Sequence, residues 1–208
     1  MVTRLVVVVA SSYKRAMTAR RIFSILPFCI AAYSPHVADP HLPEPAQADY
    51  APAPIAAGMV GLATFSGDVL VLSSRRYPLS REDPLSAVSP VDLAVAWGPS
   101  ARSDVHGEMS IWQVNRRYAW RVRASRMARP EIRDFMLHSG NWHMIPASPE
   151  VERDLARVRK GDVVRIEGDL VQVSFDGGMY FKSSLVRDDT GDGACEIIRV
   201  RSIVVERT

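Results

Sequence analysis

The sequence predicts an α+β fold dominated by a C-terminal antiparallel β-barrel of OB-like or SH3-like type with short helices. A signal or anchor segment and a Pro-rich linker precede it. Three observations carry this. The chain from Val163 onward is nearly all β-type runs, broken by a tight-turn signal at Asp176-Gly177-Gly178. Helix starts with proline in the first turn recur upstream of those runs. Prolines crowd residues 34–57, where apolar bulk is scarce.

The N-terminus has the parts of an export signal. Arg20 and Arg21 precede a 12-residue apolar run, Ile22 to Tyr33, followed by a Pro- and Ala-rich exit. Cleavage after Ala48 or Ala38 fits the small-residue rule, and either Met1 or Met17 suits as the start. Twelve residues interrupted by Pro27 are short for a span of ~30 Å of hydrocarbon. The expected organisation is 1–33 signal or membrane anchor, 34–57 linker and 58–208 a single domain. The expected location is periplasmic or anchored at the inner membrane.

Within the domain, Val69–Leu72 is the first expected strand. SPVDLAVAWG (89–98) predicts a helix, with Ser89 as its cap, Pro90 at its first position and Gly98 ending it. Ile111–Val122 predicts one strand, because Tyr118, Trp120 and Val122 alternate with Ala119 and Arg121. Arg129-Pro130-Glu131 opens a short helix through Leu137. Ser148 and Pro149 open the next, with Val151, Leu155 and Val158 on one face. Val163–Phe175 predicts a long strand. Val164, Ile166 and Leu170 share one parity, Val171, Val173 and Phe175 the other, and Gly168-Asp169 marks a bulge between them. Met179–Leu185 and Glu196–Val205 complete the β half.

Charge narrows the partner classes. The chain holds 26 basic and 23 acidic residues. The folded part beyond residue 57 is close to neutral, so a pI near 9.1 is not a nucleic-acid footprint. The arginines at 116, 117, 121, 123, 126, 129 and 133 interleave with Tyr118 and Trp120, as in single-strand binding grooves. Parity turns those aromatics away from Arg117 and Arg121, which argues against a nucleic-acid partner. A membrane or an envelope protein remains as the expected kind of partner.

Candidate chemistry gathers in two blocks. The first holds His138, Asn141 and His143 around Gly140, expected as a turn. The second is KSSLVRDDTGDGACE (182–196), with Ser183, Ser184, Arg187, Asp188, Asp189 and Cys195. Two histidines fall short of the three protein ligands that a catalytic zinc needs, so a metal requires a donor from the second block. An EF-hand starting at Asp188 fails, because Arg199 stands where its last glutamate belongs. Cys195 with a histidine and Asn141 supplies the residue types of a thiol nucleophile, though no local signature accompanies them. No cofactor motif is present and none is expected. The leading expectation is a non-enzymatic binding or accessory module of the cell envelope. A hydrolase or metal-dependent enzyme using both blocks, and a single-strand nucleic-acid binder, are the alternatives.

The blocks SPVDLAVAWG, HSGNWHMIPA, GDVVRIEGDLV and SSLVRDDTGDGACE, in that order across residues 65–203, resemble a family of small bacterial proteins with no assigned activity. Those proteins look exported or membrane-anchored through a short hydrophobic N-terminus. The resemblance implies the same placement here and carries over no catalytic residue. GDVVRIEGDLV ahead of a polar turn is also distantly similar to OB-like barrels in membrane-anchored adaptors, at the level of fold alone.

Overall fold

Two long β-runs, broken by turn residues, build the frame. A computed structural model describes residues 41–123, 127–186 and 194–206. β1 (Ala46–Ala56) returns through Gly58, in the left-handed region, into β2 (Met59–Arg76). Next come β3 (Val91–Ala96), a one-turn α1 (Ser103–His106), β4 (Met109–Val114), β5 (Arg117–Val122) and α2 (Arg129–Leu137). β6 (Ser139–Pro146), α3 (Pro149–Leu155), β7 (Val163–Ser174), β8 (Tyr180–Lys182) and β9 (Glu196–Glu206) follow. The protein is mostly β, an α+β barrel-like fold. β2 pairs with β3, β3 with β6, β6 with β9, β9 with β7, and β7 with β2, so five strands close into a ring. β1 and β8 extend its edges, and β4–β5 form a separate hairpin.

Inside the ring, Phe65, Leu93, Trp142, Ile166, Leu170 and Ile198 are buried. Trp142 stacks on Trp97 at 6.0 Å between ring centroids and meets the edge of Phe65 at 5.1 Å. A second apolar cluster of Met59, Ile145, Val171, Val173 and Ile197 gathers elsewhere on the strands. The two parities of β7 therefore feed two cores, as its sequence alternation predicts. Its register against β9 slips between Glu167 and Gly168. The α2 helix and the Ser148-capped α3 also match expectation.

Several expectations are corrected. Residues 91–96 form a strand and not a helix. The run is six residues long and every one of them is buried, which is the pattern of a wall covered on both faces. Ser89 is buried, and its hydroxyl donates to the Val91 carbonyl at 3.4 Å instead of capping a helix. The single strand at 111–122 is a hairpin, because Asn115 and Arg116 both take positive φ (48° and 62°) in its turn. The expected turn at 138–143 is mostly β6. The return strand after the Gly-Gly turn is only three residues long. The ring is not wholly antiparallel, since β6 and β9 run parallel.

The Pro-rich spacer is also not free along its whole length. Its residues 46–56 are β1, an edge strand, where prolines are tolerated and where the register breaks between Asp49 and Ala53. Leu42 is buried in the core, and Trp97 Nε1 donates to Glu44 at 2.6 Å, so the ordered domain reaches back before residue 58. Residues 1–40, which hold the expected signal, lie outside the described residues. No helix among the described residues is long and apolar enough to cross a membrane.

Gly168 sits at the β7 bulge, where a Cβ would lie 2.4 Å from the Arg199 carbonyl oxygen. The barrel wall has to move to admit it. Gly168→Ala is expected to cost about 1–3 kcal/mol, read as a lower urea midpoint at constant slope. An unchanged midpoint would show that the slip at Gly168 is not tightly packed.

Candidate functional site

The site starts with an unusual residue for a barrel wall. Asp92, in the middle of the β3 run, is completely buried. The β3–β6 register places it directly opposite His143, so the two side chains share a face. On the strand-parity argument this is the face opposite Leu93 and Trp142, which belong to the core. Asp92 Oδ1 lies 2.9 Å from His143 Nδ1 and 2.9 Å from Arg116 Nη1. Arg116 comes from the tip of the β4–β5 hairpin. Its Nε also donates to Asp83 at 2.7 Å, and its guanidinium lies 3.7 Å from the Tyr77 ring centroid.

Gln113 ties the hairpin to both strands. Its Nε2 donates to the Asn141 side-chain oxygen at 2.7 Å and to the Asp92 carbonyl at 3.3 Å. Asn141 Nδ2 in turn donates to the Arg116 carbonyl at 3.2 Å. Arg75 donates to the Gln113 carbonyl. A cleft of about 420 Å³ opens beside this group, lined by Arg75, Tyr77, Asp83, Asn115 and Arg116 among others.

Cys195 completes the group from the other side. The parallel β6–β9 register pairs Trp142 with Glu196, which sets Cys195 one residue earlier, beside the Asn141–His143 segment. Strand parity puts the Cys195 side chain on the same face as His143, and Cys195 is among the groups that raise the His143 pKa. It is half-buried, whereas His143 is buried. The Ser183–Ser184 segment holds the approach to β9. Ser184 N donates to the Cys195 carbonyl at 3.0 Å, and Ile197 N donates to Ser183 Oγ at 3.1 Å.

The electrostatics follow from this packing. Burial alone pulls the His143 pKa down, but hydrogen bonding and charge from Asp92 and Cys195 outweigh it and raise it to about 10. His143 is therefore a cation at neutral pH. Tyr77 is pushed up to about 12, first by burial and then by the nearby Asp92 charge, so it keeps its proton. Four buried polar atoms here make no hydrogen bond to protein: Tyr77 Oη, Asp92 Oδ2, Gln113 Oε1 and Arg116 Nη2. His143 Nδ1 has only its ion-pair contact. No family model, no curated protein and no solved structure matches this chain.

Of the sequence candidates, the structure brings together Asn141, His143, Ser183, Ser184 and Cys195. His138 is not with them. It ends α2, where its Nδ1 lies 2.9 Å from the Asp134 carbonyl and its ring meets the edge of Trp97. At ~3.3 Å per residue of strand it stands roughly 16 Å from His143, too far to share a ligand. Arg187, Asp188 and Asp189 lie outside the described residues. Among the described residues no three His, Cys, Asp or Glu side chains are placed to hold a metal ion. Tyr118 and Trp120, the aromatics of the arginine-rich stretch, are buried and offer no stacking surface. Sequence reasoning missed Asp92, Gln113 and Tyr77, and read Arg116 only as part of the arginine-rich stretch. The available signal was a lone carboxylate inside a run short and apolar enough for a buried strand.

The His143 proton links the site to stability. Its folded pKa is raised, so the contribution is complete below the unfolded value near 6.5 and is lost as pH rises through about 10. The stability difference between wild type and His143→Gln is therefore expected to shrink between pH 6.5 and 10. Urea unfolding across that range measures it. A difference that grows with pH would reverse the assignment.

Proposed function

We propose that the chain is a binding module on an OB-like barrel, working in the bacterial cell envelope. The strand ring supports the OB-like reading. In order along the chain its five strands are β2, β3, β6, β7 and β9, with a helix between the third and fourth and a parallel pair formed by the third and fifth. OB barrels hold ligands on the face of their second and third strands and on the loops after the first and fourth. In this chain those are β3, β6, the 77–90 loop and the segment leading to Cys195.

The carrying observation is that Asp92, Arg116, Gln113, Asn141 and His143 converge on the β3–β6 face with donors and acceptors left over. A polar ligand satisfies such a set, and apolar packing does not. The β4–β5 hairpin bonds to this face, and the cleft beside it, lined by Arg75, Tyr77, Asp83 and Arg116, suits a small polar molecule better than a polymer strand. The envelope location rests on the sequence: Arg20-Arg21, the apolar run after them and the resemblance of the four blocks to exported or anchored bacterial proteins.

The test is a titration of the labelled protein with small carboxylates, small sugars and a single-stranded oligonucleotide, followed by amide NMR shifts. Saturable shifts at Gln113, Arg116 and His143 with a small polar compound are expected, and Arg116→Met should weaken them about tenfold, the worth of one charged hydrogen bond. Salt-sensitive binding of the oligonucleotide alone would replace this reading with the nucleic-acid one.

A further inference from the structure

A second cleft, of about 380 Å³, opens where the end of β2 meets the turn after α3. Ser73, Ser74 and Arg76 line it from β2, and Arg159 and Lys160 line it from the turn. Three cations and two hydroxyls thus border one space, and no carboxylate among the described residues lines it. Leu72, Ile111 and Val158 give the cleft apolar ground beside those groups.

Neighbouring arginines supply a contrast. Arg153 pairs with Glu150 at 2.8 Å, and Arg157 pairs with Asp154 at 3.3 Å. The side chains of Arg76, Arg159 and Lys160 make no ion pair or hydrogen bond with any described residue, and neither do the Ser73 and Ser74 hydroxyls. Like charges around one space repel, and an anion placed among them relieves all three at once.

The frame that holds these groups is fixed by backbone bonds. Val71 N donates to the Asp162 carbonyl at 2.9 Å, and Gly161 N donates to the Val71 carbonyl at 2.8 Å, so the turn is fastened to β2. The Asp162 side chain accepts the Arg159 amide at 2.8 Å within the turn.

We propose that this cleft is a binding site for a phosphate monoester, with Arg76, Arg159 and Lys160 as its cations and Ser73 and Ser74 as hydrogen-bond donors. Arginine offers phosphate oxygens a planar fork of donors, and lysine offers a compact charge. A phosphate carries about −1.5 to −2 charges at pH 7, which answers three cations better than a single carboxylate does. Leu72, Ile111 and Val158 suit an apolar or aromatic body on the ester side. None of these residues belongs to the Arg116–His143 group, so the site does not depend on the binding reading given for that group.

The probe is phenyl phosphate, titrated into the labelled full chain at constant ionic strength and followed by amide NMR. Inorganic phosphate and phenol test its two halves. Saturable shifts at Ser73, Ser74, Lys160 and Gly161 are expected with phenyl phosphate, weaker binding with inorganic phosphate, and none with phenol. Arg159→Gln and Lys160→Gln, both at exposed positions, are each expected to weaken binding about threefold, the worth of one exposed ion pair. Arg157→Gln, which removes a charge already paired with Asp154, is expected to leave it unchanged. Shifts that do not saturate, equal binding of phenol, or the same loss in Arg157→Gln as in Arg159→Gln overturns the proposal. So does a single-stranded oligonucleotide that shifts these amides when phenyl phosphate does not. Shifts confined to Gln113, Arg116 and His143 overturn it as well, while leaving the other reading intact. Phosphatidylcholine vesicles containing phosphatidic acid then identify the source of the phosphate. Displacement of bound phenyl phosphate supports the site with a lipid headgroup as ligand, and retention supports it with a soluble ester.

Discussion

A carboxylate buried in a barrel wall has to be answered by cations, and Asp92 is answered by two. Leaving it alone would be costly, because a buried charge that loses one partner destabilises by about 3–5 kcal/mol. His143 reaches it from the neighbouring strand, and Arg116 reaches it from the β4–β5 hairpin, which comes between β3 and β6 in chain order. The hairpin is fastened to the wall through this group, through Gln113 and Asn141, and by the buried Tyr118 and Trp120. Arg116 takes a left-handed backbone to do so, an uncommon conformation for a residue with a side chain. Tyr77 then stacks on the guanidinium and Gln113 bridges to Asn141.

The same arrangement decides what the barrel face can do. An open β3–β6 face would suit a long polymer, and an aromatic stripe would suit stacked bases. The hairpin covers part of that face, and Tyr118 and Trp120 are buried. What remains is a small polar cleft lined by Arg75, Tyr77, Asp83 and Arg116. A bound ligand would draw on the unpaired atoms around Arg116.

Much of the frame was legible wherever local chemistry sets local structure. Ser148-Pro149 starts a helix, Gly177 and Gly178 take the positive φ of a tight turn, and Gly168 marks the slip in the long strand. The α+β, barrel-like character follows from those pieces. β3 was not legible, because Ser89-Pro90 mimics a helix start and burial on both faces erases the alternation that marks a strand. β6 was hidden for a related reason: Gly140, Asn141 and His143 have turn chemistry, and only a covered face makes them strand residues. The site was half legible. Asn141, His143, Ser183, Ser184 and Cys195 stand out as residue types. Asp92 and Arg116 join them through strand pairing and a hairpin fold that no local pattern encodes. His138 looked equivalent to His143 in the sequence, and one strand length separates them.

The claim on which the rest depends is that His143 is held as a cation between Asp92 and Cys195. Side-chain nitrogen NMR of histidine-labelled protein observes this directly. With the arrangement described, both His143 ring nitrogens remain protonated at pH 8, and the ring titrates only toward pH 10. A His143 ring that loses a proton near the ordinary value of about 6.5 would contradict the account.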